Sequence, residues 1–185
     1  MLALALAPGQ EPPPAPPDSA RSPASHPQQS LQPQSSALPK SRPVSISVPK
    51  IHLKTRVETV ATAPNGSVDM PDDPDHAAWY HGSPTPGATG NAVVVGHVDS
   101  RSGPAAFYGL GALRPGDSLS VDRRDGRTAH FTVERIKVWP ADRFPSEKVY
   151  GPTSAPRLTL ITCADWDPEA QTYRSNLVIT AHPGS

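Results

Sequence analysis

A single cysteine, Cys163, stands in the 185-residue chain, and its setting is one in which a thiol could act as a nucleophile. It closes the run Arg157-Leu158-Thr159-Leu160-Ile161-Thr162-Cys163, which follows a Pro/Ser cluster and is dominated by β-branched residues and leucine. That pattern is a buried strand. A polar stretch, 164–172, separates it from a second strand pattern, Tyr173 to Ala181. Two strands joined by a short loop are most simply antiparallel. The end of the first then lies across from the start of the second, so Cys163 and Arg174 are expected to be near neighbours. A thiol beside a guanidinium is where an activated nucleophile belongs. Upstream, Asn91-Ala92-Val93-Val94-Val95-Gly96-His97 is another apolar run that ends on an ionisable residue. Gly96 removes a side chain just before His97, so another group can approach closely there. A cysteine nucleophile needs a histidine to draw off its proton or to pair with the thiolate. His97, Cys163 and Arg174 all fall at strand ends or starts, consistent with one shared rim. Thr162, next to the thiol, is a candidate contact to an oxyanion or substrate.

The elements that must position these residues are strands. Val44 to Val48 alternates as a half-buried strand, and Val57 to Val60 is a second short one. Pro64-Asn65-Gly66-Ser67 is a turn. Residues 71–87, rich in Asp, Pro, His and Gly, read as a long loop with at most one helical turn. His76 and His81 lie in it among aspartates, where solvated loop polarity is a better reading than a metal site. Phe107 to Leu110 reads as a helical turn, and Ser118 to Val121 as a strand. Arg123 to Gly126 is a hairpin turn carrying Asp-Gly. Thr128 to Trp139 is a long strand, and residues 140–156 are a loop region. Many short strands without a long amphipathic helix define an all-β domain; closing it into a barrel would remove its exposed edges.

Composition bounds the rest. The formal charge is zero, which offers no electrostatic argument for nucleic acid or an anionic membrane. One cysteine excludes an internal disulfide and a multi-cysteine metal site. Eleven of the first 43 residues are proline. Such a segment has little apolar surface to bury and reads as a disordered, semi-rigid spacer. Met1 to Ala7 is apolar but far shorter than the roughly 20 residues of a membrane span, a candidate remnant of an N-terminal anchor. The division is therefore 1–43, a Pro/Ser/Ala/Gln-rich linker, and 44–183, a folded domain.

At this point the chain resembles the sortase family of cysteine transpeptidases. The resemblance rests on a histidine closing a Val-rich strand, on Thr159-Leu160-Ile161-Thr162-Cys163 at a strand end, and on an arginine early in the next strand. Gly96-His97-Val98-Asp99-Ser100, Phe107-Tyr108-Gly109-Leu110, Leu113-Arg114-Pro115-Gly116-Asp117 and Tyr173-Arg174-Ser175-Asn176-Leu177 look most like its class F branch, with class E next. The resemblance covers roughly residues 44–183. It implies a closed eight-stranded barrel with the site in a groove at one end. It further implies catalysis by His97, Cys163 and Arg174 on a Leu-Pro-x-Thr-Gly-type sorting signal, cut between Thr and Gly through a thioacyl intermediate. An amine acceptor such as a cell-wall precursor would then receive the acyl group, on the extracytoplasmic face of a Gram-positive membrane. This chemistry requires no redox cofactor or metal; calcium assists some sortases, and the sequence marks no site for it. Two other readings use the same residues. One is a thiol hydrolase that passes the acyl group to water; the other is a non-catalytic envelope β-barrel that binds without turnover, in which Cys163 would be buried and inert.

Overall fold

A computed structural model describes residues 11–22, 37–64 and 66–184. Its centre is a closed barrel of eight strands. The contributing strands are β1 (Pro43–Val48), β2 (Leu53–Val60), β3 (Ala77–Tyr80), β4 (Gly90–Gly96), β7 (Ser118–Arg123), β8 (Thr128–Pro140), β9 (Pro156–Asp167) and β10 (Thr172–Pro183). Around the barrel they run β1-β2-β3-β4-β9-β10-β8-β7, and β7 pairs back onto β1. The β2–β3 and β4–β9 contacts are parallel and the others antiparallel. A small hairpin outside the barrel pairs β5 (Asp99–Ser100) with β6 (Gly103–Pro104). The all-β expectation and the eight-stranded closure hold, and closure leaves no long edge exposed.

The barrel interior is filled from alternate positions of each strand. Ile46, Val48, Leu119, Val121, Phe131, Leu158, Leu160 and Ile179 are each at most 2 % exposed and belong to one core. A second cluster, containing Val93, Val95, Ile161 and Val178, packs outside the barrel wall with Phe144 and Tyr150. These two layers explain why β4 reads as an unbroken apolar run: both of its faces are covered. The outer layer is tied down at Asn91. Its Nδ2 donates to the Val149 carbonyl at 2.8 Å, and its Oδ1 accepts from Thr159 Oγ1 at 2.7 Å. The bond to Val149 holds the α-helical turn α1 (Ser146–Tyr150) against the barrel.

Three sequence expectations change. Residues 71–87 are not all loop, since β3 forms there as the parallel partner of β2. β9 does not stop at Cys163 but runs on to Asp167, and β10 starts at Thr172, so the connecting turn shrinks to residues 168–171. The spacer expected over 1–43 is structured where it is described. Asp18–Arg21 forms a 3-10 turn with Ala20 only 1 % exposed, and Leu38 packs on the core. Its Met1–Ala7 run and residues 23–36 lie outside the described residues.

Candidate active site

His97 follows directly on β4. Gly96 is required there by its neighbour: a Cβ would meet the Phe107 ring at 2.8 Å, so only glycine lets the ring seal the strand end. The Phe107 N–H in turn donates to the His97 carbonyl at 2.9 Å. The imidazole is oriented from the other side, by a 3.0 Å bond between Nε2 and the Pro71 carbonyl. A carbonyl can only accept, so Nε2 carries the proton and Nδ1 is the basic nitrogen of the neutral ring. The segment bearing Pro71 is itself fastened to β2: the Asp72 N–H donates to Glu58 Oε2 at 3.3 Å, and His76 Nδ1 lies 2.7 Å from Glu58 Oε1. His76 thus hydrogen-bonds Glu58, and no group of three or more side chains that could hold a metal ion occurs among the described residues.

Cys163 sits within β9, partly open to solvent, and shares with His97 the lining of a cavity of about 560 Å³. Asp99, Tyr173 and Asn176 line the same cavity. Burial raises the thiol to a pKa of about 11, and the charge of Asp99 adds to the rise. Asp99 is 3 % exposed, and its carboxyl is raised above the usual range by the same loss of water. The Tyr173 hydroxyl donates to Asp99 at 2.5 Å, and the Tyr173 ring meets Trp166 edge-on with centroids 5.0 Å apart. Adjoining this cavity at Cys163, Val68 and Met70, an apolar cleft is lined further by Val95, Phe144, Tyr150 and Ile161.

Two expected site residues stand elsewhere. Arg174 is 69 % exposed and pairs with Asp167, whose other oxygen accepts the backbone N–H groups of Glu169 and Ala170. The extension of β9 and β10 past Cys163 moves the register, so that the residue across from Cys163 is Asn176. Thr162 faces away from the thiol, as alternation along a strand requires. Its hydroxyl donates to the Gly96 carbonyl at 2.8 Å, which ties β9 to the strand that delivers His97. Thr162 is therefore a strut between the strand that carries Cys163 and the strand that leads to His97, and its hydroxyl is engaged by the Gly96 carbonyl. Asp99, Tyr173 and Asn176 fall within the family-like motifs of the sequence, where they carry no assigned role. A count of register outward from the 168–171 turn would have found Asn176.

The Pro-rich residues 11–22 form a strap over this end of the barrel. Tyr108 Oη lies 2.8 Å from the Glu11 carbonyl and 3.0 Å from that of Pro12. The strap backbone passes so close to Gly111 that a Cβ there would stand 1.8 Å from the Pro14 carbonyl oxygen. Arg21 grips Asp165 through two bonds of 2.8 and 2.6 Å, which holds the Asp165 carboxyl below the usual carboxylate range. Between strap and barrel lies a cavity of about 380 Å³ that reaches Cys163 and is walled by Phe107, Tyr108, Trp166 and Tyr173.

The chain is thus a closed eight-stranded barrel with a histidine at the end of one strand and a cysteine on the strand paired to it. Residues 46–184 match the sortase domain family, and the chain belongs to it. No curated protein sequence matches the chain. Among solved structures it is similar to sortase A from Corynebacterium diphtheriae, at 22 % identity and a TM-score of 0.61 over 80 % of this chain and 62 % of that one. It is also similar to sortase C-1 from Actinomyces oris, at 21 % identity and a TM-score of 0.57 over 77 % and 75 % of the two chains. Sortase A of Listeria monocytogenes aligns at 19 % identity and a TM-score of 0.60 over 78 % and 88 %. At such identities these likenesses establish the shared fold.

Proposed function

We propose that this chain is a transpeptidase that cleaves a Leu-Pro-x-Thr-Gly-type sorting signal between Thr and Gly and joins the Thr to an amine. The observation that carries this reading is the shared cavity of His97 and Cys163, continued by an apolar cleft. Val68, Met70, Val95, Phe144, Tyr150 and Ile161 suit the leucine and proline side chains, and the cleft leads to the thiol. The preference for proline follows from the class F resemblance. So does the setting, the outer face of a Gram-positive cell envelope with a cell-wall precursor as acceptor. Among the described residues no helix is long and apolar enough to cross a membrane.

In the first half-reaction the Cys163 sulfur bonds to the Thr carbonyl carbon while its proton passes to His97. Collapse of the tetrahedral adduct breaks the Thr–Gly C–N bond. His97 returns the proton to the departing glycine amine as a general acid, and a thioester remains on Cys163. In the second half-reaction an amine attacks the thioester, the C–S bond breaks, and His97 moves the amine proton to the sulfur. One amide is exchanged for another and the thiol is restored. Arg174 contributes positive charge at the rim from its place on Asp167, and would reach the oxyanion only on leaving that carboxylate.

The test is mass spectrometry of a Leu-Pro-x-Thr-Gly peptide incubated with triglycine and wild type, Cys163→Ala or His97→Ala. Wild type is expected to yield the joined peptide and both variants to lose it. Free Thr acid as the sole product, with triglycine present, would identify a hydrolase instead. A Cys163→Ala protein that still joined the peptide would refute the thiol mechanism.

A further inference from the structure

The cavity at the sulfur holds a carboxylate for which the first half-reaction has no use. Asp99 opens the small hairpin outside the barrel and lines the cavity together with His97 and Cys163. It is 3 % exposed. Its Oδ2 accepts the Tyr173 hydroxyl at 2.5 Å, and among the described residues its side chain makes no other hydrogen bond. Nor does it form an ion pair with any of them. A carboxylate withdrawn from water without a counter-charge is costly to hold. Asp69 and Asp72 add two more carboxylates to the same wall, and no lysine or arginine among the described residues lines it. The second oxygen of Asp99, Oδ1, is thus left for a donor from outside the chain.

The Asp99 charge works against the resting thiol, because it adds to the rise in the Cys163 pKa and so disfavours the thiolate. It is of use only later, when the sulfur is a neutral thioester and the incoming group is an amine. At neutral pH an α-amine is largely an ammonium, which has no lone pair with which to attack. Before it can reach the thioester carbon it needs a partner for its charge and a base for one proton. His97 is committed to the other proton, the one that goes to the departing sulfur.

We propose that Asp99 receives the acceptor: its Oδ1 binds the ammonium of the incoming amine and takes one proton from it, while the Tyr173 hydroxyl fixes Oδ2. This inference rests on the transpeptidase reading above. The protons balance. The ammonium gives one proton to the Asp99 carboxylate and becomes a neutral amine. Its lone pair bonds to the thioester carbon, the C–S bond breaks, and His97 carries a second N–H proton to the sulfur. An amide and a thiol remain, and the Asp99 carboxylic acid releases its proton to water. Burial raises the Asp99 carboxyl above the usual range, which makes it the stronger base for this transfer. The class of acceptor follows from the charge: a primary amine that arrives as a cation is preferred over an uncharged nucleophile.

The experiment sets two acceptors against each other at pH 7. Triglycine, with an α-amino pKa of about 7.7–8.0, is then mostly ammonium, whereas hydroxylamine is mostly uncharged. Mass spectrometry follows the joined peptide and the hydroxamate, which arise from the same thioester, in wild type, Asp99→Asn and Asp99→Ala. Iodoacetamide labelling beside it reports on the thiol. Asparagine keeps an oxygen for the Tyr173 hydroxyl and removes the charge. Asp99→Asn is expected to lower the ratio of triglycine to hydroxylamine rates about 10²-fold while labelling becomes faster. In Asp99→Ala, added formate is expected to restore part of the triglycine rate. A merely structural role would lower both rates together and would not respond to formate. The proposal is overturned if the ratio keeps its wild-type value, whether both rates fall or neither does, or if formate restores nothing. A wild type that forms neither product overturns the transpeptidase reading and this inference with it; a wild type that forms both, with an unchanged ratio in Asp99→Asn, overturns this inference alone.

Discussion

The protonation state of Cys163 gives the most direct physical test of the site. Burial, with the charge of Asp99 behind it, raises the thiol to about 11. An ordinary cysteine titrates near 8.5. At pH 7.5 the thiolate fraction is then about 10⁻³·⁵, against about 10⁻¹ for an ordinary cysteine, a deficit of roughly 300-fold. The more basic thiolate is also the better nucleophile, and a Brønsted slope of 0.4–0.5 returns about tenfold. Iodoacetamide should therefore label Cys163 about 30-fold more slowly at pH 7.5 than a free cysteine. The rate should climb tenfold per pH unit up to about pH 10 without levelling. Asp99→Asn removes the neighbouring charge and is expected to move the whole profile to lower pH. Stopped-time labelling followed by intact-mass measurement reads the rate at each pH. A plateau below pH 8, with fast labelling at neutrality, would mean that the resting enzyme holds a thiolate–imidazolium pair and that the burial argument is wrong.

Other expectations follow from the packing. Removing residues 1–22 should leave the barrel folded, since the Arg21–Asp165 pair is partly exposed and such pairs contribute about 0–1 kcal/mol. Removing 1–42 should cost more: the buried Arg123 would lose the Pro39 carbonyl, and among the described residues its Nε and Nη1 have no hydrogen-bond partner. An orphaned buried donor costs about 1–3 kcal/mol, so calorimetry should place the shorter protein's melting temperature clearly below that of the 1–22 deletion. Gly96→Ala drives a methyl to 2.8 Å from the Phe107 ring; a loss of about 1–3 kcal/mol together with lower turnover is expected in denaturant titration and assay, and unchanged stability would contradict the close packing. Asp165 is depressed by Arg21, so its share of strap stability is complete above the ordinary aspartate pKa of about 3.9 and disappears as pH falls through the lower folded value. Asp165→Asn should loosen the strap at neutral pH, seen as faster proteolysis within residues 11–22, and an unchanged cleavage pattern would argue against the clamp.

How far the sequence revealed this arrangement depended on which forces left a mark in side chains. The runs ending at His97 and Cys163 were legible because strands covered on both faces must be apolar throughout. Gly96 was legible as a close approach, although only the structure names Phe107 as the group that approaches. β3 was hidden because four residues between Asp- and Pro-rich turns carry too little pattern, and its ladder to β2 is made by the backbone. The same reason concealed the continuation of β9 through Ala164-Asp165-Trp166-Asp167: polar side chains there suggest a loop, while main-chain pairing continues regardless. That extension makes Asn176, in place of Arg174, the residue across from Cys163. Composition likewise pointed to an unstructured tail, whereas residues 11–22 are ordered by their carbonyl groups and one ion pair, which apolar content does not measure.

The strap has a thermodynamic consequence for whatever approaches Phe107, Tyr108, Trp166 and Tyr173. Because it belongs to the same chain, its release is a unimolecular event, and dilution of the protein does not uncover the surface beneath it. A free ligand for that surface binds only the uncovered fraction of molecules, so its apparent Kd is its intrinsic Kd divided by that fraction. Each 1.4 kcal/mol by which the covered state is favoured weakens the apparent affinity about tenfold. Aromatic side chains that would otherwise hold a peptide backbone strongly are thus set to a lower working affinity, and a second chain must supply more binding energy than the strap gives up before it can reach the sulfur from this side.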